Sequence, residues 1–311
     1  MTGSAVAVHG GRFGDGLMQG IRVALPKVEL VAAGSATAAA NADVLVTLAD
    51  DAAAIQGVLT EGIDWVHILG AGVDGFPIDV VGDRLLTCSR GAGAPAIAEF
   101  VLATMLAFEK HLPQSWITEP PPQWNTADLG GLEGRTLGVI GIGAIGTQVA
   151  RRAVAFDMEV VALRRTTHAS PLPGVRLCPD LPSLLGRSDH VVVSAPATAA
   201  THRLLDDSAL SDIKPGAHLV NVSRGTLIDQ EALLHALDDG RIARASLDVV
   251  EPEPLPSGHP LYTHPRVKLS PHISWSSPRT VWRTLELFAE NLTRYRSGKG
   301  LVGQVDRVAG Y

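Results

Sequence analysis

Residues 134–166, GRTLGVIGIGAIGTQVARRAVAFDMEVVALRRT, constrain the fold of this chain more than any other stretch. The apolar run from Thr136 to Ile140 reads as a buried strand, and Gly141, Gly143 and Gly146 follow it in a GxGxxG turn. Helical patterning then runs from Thr147 to Phe156, and a second apolar run covers Glu159 to Leu163. Strand, glycine turn, helix and parallel strand at this spacing make a dinucleotide-binding βαβ unit. Gly141 permits the tight turn, Gly143 lets backbone approach a pyrophosphate, and Gly146 lets the helix close on the strand. N–H groups at the new helix start would receive the anion. In a chain with 32 glycines the hexapeptide alone is weak, and a glycine turn without a ligand is its alternative. The flanking strands and helix are what favour the nucleotide.

The residues after the second strand refine the cofactor. A ribose-binding acid would stand about 20 residues beyond the glycines. This chain has Arg164, Arg165, Thr166 and Thr167 there. A carboxylate would accept from a ribose 2′-OH and repel a 2′-phosphate, whereas guanidinium forks match phosphate oxygens. The expectation is therefore NADPH in preference to NADH, against a solvated basic turn as the bland reading.

Composition sets outer bounds. With 46% hydrophobic and 19% charged residues over 311 positions, the chain fits a soluble protein of about two domains. A net charge of −6 without a basic block disfavours nucleic acid as a partner. No apolar run reaches membrane-spanning length, and MTGSAVAVHGG lacks the charged and apolar regions of a secretory leader. Cys88 and Cys178 stand far apart with no CxxC, which suits small core residues in a reducing cytoplasm; no metal site is expected.

Short apolar runs alternate with helical patterns along both halves, so the predicted class is α/β with two Rossmann-like or flavodoxin-like domains and parallel sheets. Pro95 to Leu112 reads as a long helix bridging the domains and stopped by Pro113. The irregular stretch after it, with Trp116 and Trp124, suggests either an arm at a subunit interface or a tryptophan-anchored surface loop. The amphipathic run from Pro278 to Arg296 would fold back on the first domain. The boundaries expected are a discontinuous substrate domain, 1–95 with 280–311, and an inserted dinucleotide domain, 96–279.

Three strand ends in the second half deliver polar residues: HLVNVS leads to Arg224, ASLDVVEP to Glu253 and VKLSP to His272. In an open parallel sheet, ligands bind outside the carboxyl ends of the strands. An arginine, a carboxylate and a histidine beside a nicotinamide suit reduction of a ketone. The histidine would supply the proton and the carboxylate would favour its protonated form. The arginine would bind a substrate carboxylate and polarise the adjacent carbonyl. Each residue has a plainer alternative: a surface ion pair for Arg224, a solvated loop acid for Glu253 beside Glu251, a structural role for His272. His67, His190 and His218 lie within strand runs and read as core-edge residues.

GVIGIGAIG, PGAHLVNVSRGTLIDQEAL, SLDVVEPEPLP and SPHIS resemble, in order, the nucleotide, arginine, glutamate and histidine motifs of the D-isomer-specific 2-hydroxyacid dehydrogenases. The pattern is similar to that of the family's NADPH-dependent glyoxylate and hydroxypyruvate reductases. The resemblance implies a homodimeric reductase of small 2-oxoacids that gives D-2-hydroxyacids. In it Arg224 orients substrate, His272 is the acid/base and Glu253 its partner. It implies that Gly141, Gly143, Ala144, Ile145, Gly146, Ala195, Pro196, Thr201, Val222, Ser223 and Ser274 line the cofactor cleft with Arg164, Arg165 and Thr166, and that Asp248 holds the nicotinamide carboxamide. Gly70, Ala71 and Gly72 would bind the substrate carboxylate through backbone N–H groups. Trp275 stands where small residues are common in the family, and would narrow the pocket or pack beneath the histidine. Two alternatives stay open: an NAD-linked D-2-hydroxyacid or 3-phosphoglycerate dehydrogenase, and a catalytically silent nucleotide-sensing binding protein. The end at Tyr311 leaves no room for the regulatory domain of many phosphoglycerate dehydrogenases.

Overall fold

In the computed structural model the described residues are 5–10, 14–35, 37–48, 52–165, 170, 172–308 and 310–311. They divide into two compact units, a terminal one (Met1–Gly93 with Ser277–Tyr311) and a central one (Ala94–Ser276).

The terminal unit begins with β1 (Ala5–His9), α1 (Gly14–Ala24), β2 (Leu30–Ala32), β3 (Ala42–Thr47), α2 (Ala52–Val58), β4 (Trp65–Ile68), α3 (Ile78–Val81) and β5 (Leu85–Cys88). The strands pair in parallel in the order β2-β1-β3-β4-β5, the flavodoxin-like arrangement. Parallel strands are covered on both faces, which is why they read as continuous apolar runs rather than alternating ones. WVHI in β4 is buried at every position.

The central unit continues with α4 (Ala94–Glu109), β6 (Thr136–Ile140), α5 (Ala144–Val154), β7 (Glu159–Leu163), β8 (Val175–Leu177), α6 (Leu181–Leu185), β9 (His190–Val193), α7 (Asp207–Ser211), β10 (Ala217–Asn221), α8 (Gln230–Asp238), β11 (Ile242–Leu247) and β12 (Val267–Leu269). The sheet order β12-β11-β10-β9-β6-β7-β8 is doubly wound, and the chain reverses direction across the sheet between β6 and β9. A ligand crevice forms at that switch point. Helix α4 packs on the same core as α5, through Val101 and Met105 against Val149 and Ala153.

Two helices differ in their bounds from the reading of the sequence: α5 runs from Ala144 to Val154 rather than from Thr147 to Phe156, and α4 ends early. Helix α4 ends at Glu109, three residues short of Leu112. His111 takes φ 49°, the Leu112 N–H returns to the Ala107 carbonyl at 2.9 Å, and the His111 N–H returns to Phe108 at 3.3 Å. That is a Schellman ending with histidine in the left-handed position. From there to β6 the chain is irregular, and Trp116 and Trp124 are 72% and 76% exposed.

The last helix, α9 (Pro278–Arg296), returns to the terminal unit. Ser277 caps it by accepting from the Thr280 N–H at 3.1 Å. Its buried face sets Leu285, Phe288 and Leu292 against Val6, Val44 and Trp65. The expected class, two α/β domains with parallel sheets, is the architecture observed.

Candidate active site

The glycine turn sits at the switch point of the central sheet. Strand β6 ends at Ile140, and Gly141 takes φ 94°, open to glycine at little cost. A Cβ there would also lie 2.6 Å from the Ala195 backbone, because the exit of β9 presses on the turn. At Gly146 a Cβ would collide with the Gly141 carbonyl oxygen and lie 2.9 Å from Val139 Cγ1. Gly143 is different. Its φ of −84° suits any residue, and a Cβ would meet nothing within 4 Å. Neither conformation nor packing requires glycine at 143, so the space above it is free for a ligand. Gly143 is also the N-cap of α5 and makes no side-chain cap, which leaves the first helical N–H groups to an outside acceptor. The turn therefore fits a pyrophosphate. Ala144 is exposed beside it, and Ile145 packs inward on the core.

Around this turn the loops brace one another. The Gly141 N–H donates to the Leu163 carbonyl at 2.9 Å, which brings the end of β7 to the turn; Arg164, half-buried, and Arg165, exposed, come next. Thr166 lies outside the described residues. Beyond β9, Ser194 Oγ donates to the Gly141 carbonyl at 2.7 Å, and Ser223 Oγ donates to Ala195. Thr201 Oγ1 donates to the Pro196 carbonyl at 2.7 Å, so its hydroxyl shapes that loop from within. The Val222 side chain is buried in the apolar core.

Strands β10, β11 and β12 are parallel neighbours, so the residues after them emerge on one rim. Past β10, Asn221 Nδ2 donates to the Arg224 carbonyl at 2.9 Å and its Oδ1 accepts from the Ser223 N–H at 3.0 Å. This local clasp turns the half-buried Arg224 out of the strand, and its Nη1 donates to the Ser223 carbonyl at 2.7 Å. Gly225 is required next: a Cβ would collide with the Val250 carbonyl group as the exit of β11 passes.

His272 and Glu253 meet directly. The imidazole Nδ1 lies 2.8 Å from Glu253 Oε2, with the side chains 41% and 37% exposed. Glu253 Oε1 accepts from the Val250 N–H at 3.2 Å, so the carboxylate is held by its own loop while it holds the ring. Of the two acids in Glu-Pro-Glu-Pro, it is Glu253 that reaches the histidine. The Glu251 backbone is instead joined to Gln230 of α8.

Beneath this pair lies Asp248, 2% exposed. Its Oδ1 accepts from the Ile273 N–H and its Oδ2 from the Ser274 N–H, both at 2.9 Å, and Ser270 Oγ donates to Oδ1. The His272 N–H donates to the Asp248 carbonyl at 2.9 Å. One buried aspartate thus folds the 270–274 turn around itself. His272 pays for this with φ 54°, a left-handed conformation that costs a non-glycine residue about 1–2 kcal/mol. The reading of Asp248 as a carboxamide ligand did not include this engagement with the turn.

The Gly70–Gly72 segment belongs to the terminal unit, at the end of β4. The Ser89 N–H reaches the Ile68 and Gly70 carbonyls at 3.0 and 2.9 Å, and Cys88 Sγ approaches the Ala71 carbonyl at 3.5 Å. Behind it is a buried row the sequence did not announce. Trp65 Nε1 donates to Thr87 Oγ1 at 2.8 Å, Thr87 Oγ1 lies 2.7 Å from His67 Nδ1, and His67 Nε2 lies 3.2 Å from Ser89 Oγ. Indole is a donor only, so Thr87 Oγ1 accepts from Trp65 Nε1. Burial keeps His67 neutral and pushes its pKa down to about 3.

His190 and His218 are also fully buried rather than at a core edge. They form a chain from Ser246 Oγ through His218 and His190 to Glu109 Oε1, with links of 2.9, 3.2 and 3.0 Å. Burial, then the neighbouring His190 and Arg244, hold the His218 pKa well down. At Glu109, burial acts upward, but the hydrogen bond and charge of His190 outweigh it and the carboxyl stays below its usual range. Among the described residues no cluster of three or more His, Cys, Asp or Glu could hold a metal ion.

Comparison with known proteins meets this geometry. Residues 102–274 match the family described as D-isomer specific 2-hydroxyacid dehydrogenase, NAD binding domain. A glyoxylate reductase of Thermofilum pendens is 35% identical over 69% of this chain and 66% of its own length. A glyoxylate/hydroxypyruvate reductase B of Pectobacterium atrosepticum is 33% identical over 74% of this chain and 75% of its own. The crystal structure of a D-isomer specific 2-hydroxyacid dehydrogenase from Xanthobacter autotrophicus Py2, in complex with NADPH and MES, superposes with a TM-score of 0.87 at 27% identity, covering 99% of this chain and 100% of that one. With a matched nucleotide unit, relatives aligned well beyond it and the same two-sheet architecture, this chain belongs to the D-isomer-specific 2-hydroxyacid dehydrogenase family of oxidoreductases.

Proposed function

We propose that this chain is an NADPH-preferring reductase of small 2-oxoacids, such as glyoxylate or hydroxypyruvate, and that it forms the D-2-hydroxyacid. The observation that carries this reading is the 2.8 Å pairing of His272 with Glu253 on the rim that also bears Arg224. With Nδ1 engaged by the carboxylate, Nε2 is the ring atom left to give a proton to the developing alkoxide oxygen. Glu253 fixes the direction of the ring. The Arg224 guanidinium binds the substrate carboxylate and polarises the adjacent carbonyl, stabilising charge that grows as the bond is reduced. Within the terminal unit, the backbone N–H groups at Gly70, Ala71 and Gly72 are suited to binding a carboxylate.

A bound nicotinamide supplies the hydride. Gly141 to Gly146 would hold its pyrophosphate on the start of α5, with Ala195, Pro196, Val222 and Ser223 along the cleft. Asp248 has about four lone-pair sites and spends three on the 270–274 turn, which leaves about one for a carboxamide. Arg164 and Arg165, at the end of β7, would bind the 2′-phosphate of NADPH. The NADPH held by the Xanthobacter relative supports that assignment.

The test is a panel of 2-oxoacids assayed with both reduced cofactors, in wild type and in Arg164→Asp. Losing charge-assisted bonds to the 2′-phosphate should shift the NADPH:NADH ratio of kcat/KM by about a hundredfold. An unchanged ratio would remove Arg164 from the account, and NADPH binding without turnover of any 2-oxoacid would favour a nucleotide-sensing role instead. We also propose a homodimer, supported by the exposed indoles of Trp116 and Trp124 in the arm after α4. Light scattering should give twice the chain mass; a monomer would exclude it.

A further inference from the structure

We propose that Trp275 is a positioning residue for His272, fixing the imidazole through the histidine's own backbone. Its indole Nε1–H donates to the His272 carbonyl at 2.9 Å, while the ring stays 46% exposed. Core packing does not account for a large aromatic held half in solvent. A directed N–H bond does: indole is a donor only, so the bond has one polarity, and the rigid side chain loses little rotamer freedom in making it.

The need for the bond follows from φ 54° at His272. A non-glycine residue leaves the left-handed region unless its flanking peptides are held. The peptide before His272 is held by its N–H, which reaches the Asp248 and Ser270 carbonyls at 2.9 and 3.0 Å. The peptide after it is held at both ends, its N–H by Asp248 Oδ1 and its carbonyl by Trp275. Rotation of that peptide, the route by which His272 would relax, breaks both bonds at once. Glu253 at Nδ1 and Asp248 at the Ile273 N–H are charged groups that meet the ring and its turn. With the backbone locked, the 2.8 Å spacing to Glu253 is set before substrate arrives. Trp275 thereby contributes to turnover without touching the reacting atoms.

This inference rests on the reading of His272 as the proton donor, and the experiment separates the two. Trp275→Phe keeps an aromatic ring at an exposed position and removes the N–H. It should lower kcat for glyoxylate about fivefold, the weight of one neutral hydrogen bond, while glyoxylate KM and NADPH affinity stay within about twofold. In a Glu253→Gln enzyme, where the pairing is already lost, the same change should lower kcat by less than about twofold. Unchanged kcat in Trp275→Phe, equal losses in both backgrounds, or a loss taken in KM would overturn the proposal. If Glu253→Gln alone slows turnover and Trp275→Phe does not, only this inference fails. If wild type does not reduce glyoxylate, or Glu253→Gln leaves kcat unchanged, the reading of the pair falls and this proposal with it.

Discussion

Two alanine substitutions three residues apart should separate what the glycine turn does for the ligand from what it does for the fold. At Gly143 a methyl group enters open space on a backbone with φ −84°, so no native contact resists it. Alanine narrows the unfolded ensemble but is a poorer N-cap than glycine, and these effects nearly cancel, leaving stability within about 0.5 kcal/mol of wild type. The same methyl stands where a pyrophosphate must approach the first N–H groups of α5. Displacing the anion from one charge-assisted bond, worth about 1.5–3 kcal/mol, should weaken NADPH binding about ten- to a hundredfold. Gly146→Ala should behave in the opposite way. Its methyl would meet the Gly141 carbonyl, Val139 Cγ1 at 2.9 Å and Ser194 Oγ at 3.0 Å, and two of those three belong to the sheet and turn backbone or their core. Overpacking of this kind costs about 1–3 kcal/mol. Urea unfolding and NADPH fluorescence titration, run on both variants, read the two effects separately. The reasoning is refuted if Gly143→Ala unfolds as early as Gly146→Ala, or if it binds NADPH as wild type does.

The remaining predictions concern the acids and a buried base. Glu253→Gln should lower kcat about a hundredfold in steady-state assays, because the ring loses its charged partner, whereas Glu251→Gln should change it less than about twofold; similar losses in both would mean the wrong acid has been assigned. His67 has a native pKa of about 3 against 6.5 when unfolded, so only the unfolded chain takes up its proton between those values and stability falls as pH drops through that window. The loss from this one group between about pH 8 and pH 5 is about 2 kcal/mol, and denaturant unfolding of His67→Phe should show a pH slope shallower by that amount. Equal slopes would remove His67 as its source.

What could be read from the chain follows from how local each signal is. The β6–α5–β7 unit carries its own logic in apolar runs and three glycines, and the bounds of β6 and β7 agree with the reading residue for residue. The final helix was equally legible, since Ser277, Pro278 and an amphipathic period all act within the segment. Strand β8 went unseen because it has three residues, two of them exposed, and borrows its pairing from β7. The end of α4 was misplaced because a left-handed His111 closes it, and nothing in the residue type announces that conformation. At the site, Arg224, Glu253 and His272 were legible as residues delivered at strand ends. The engagement of Asp248 with the 273 and 274 amides was not, since it joins atoms 25 and 26 residues apart. The same holds for His190 and His218, which look like strand residues until Glu109, 81 residues from His190, supplies the partner.

The central claim is that His272 gives the proton while the rest of the chain holds cofactor and acid. Its most direct test is a single turnover, in which enzyme loaded with NADPH is mixed rapidly with glyoxylate and NADPH absorbance is followed. Wild type should oxidise its NADPH in one exponential phase, and His272→Ala should bind NADPH equally well but oxidise it about a thousandfold more slowly. Oxidation at the wild-type rate in His272→Ala would contradict the account.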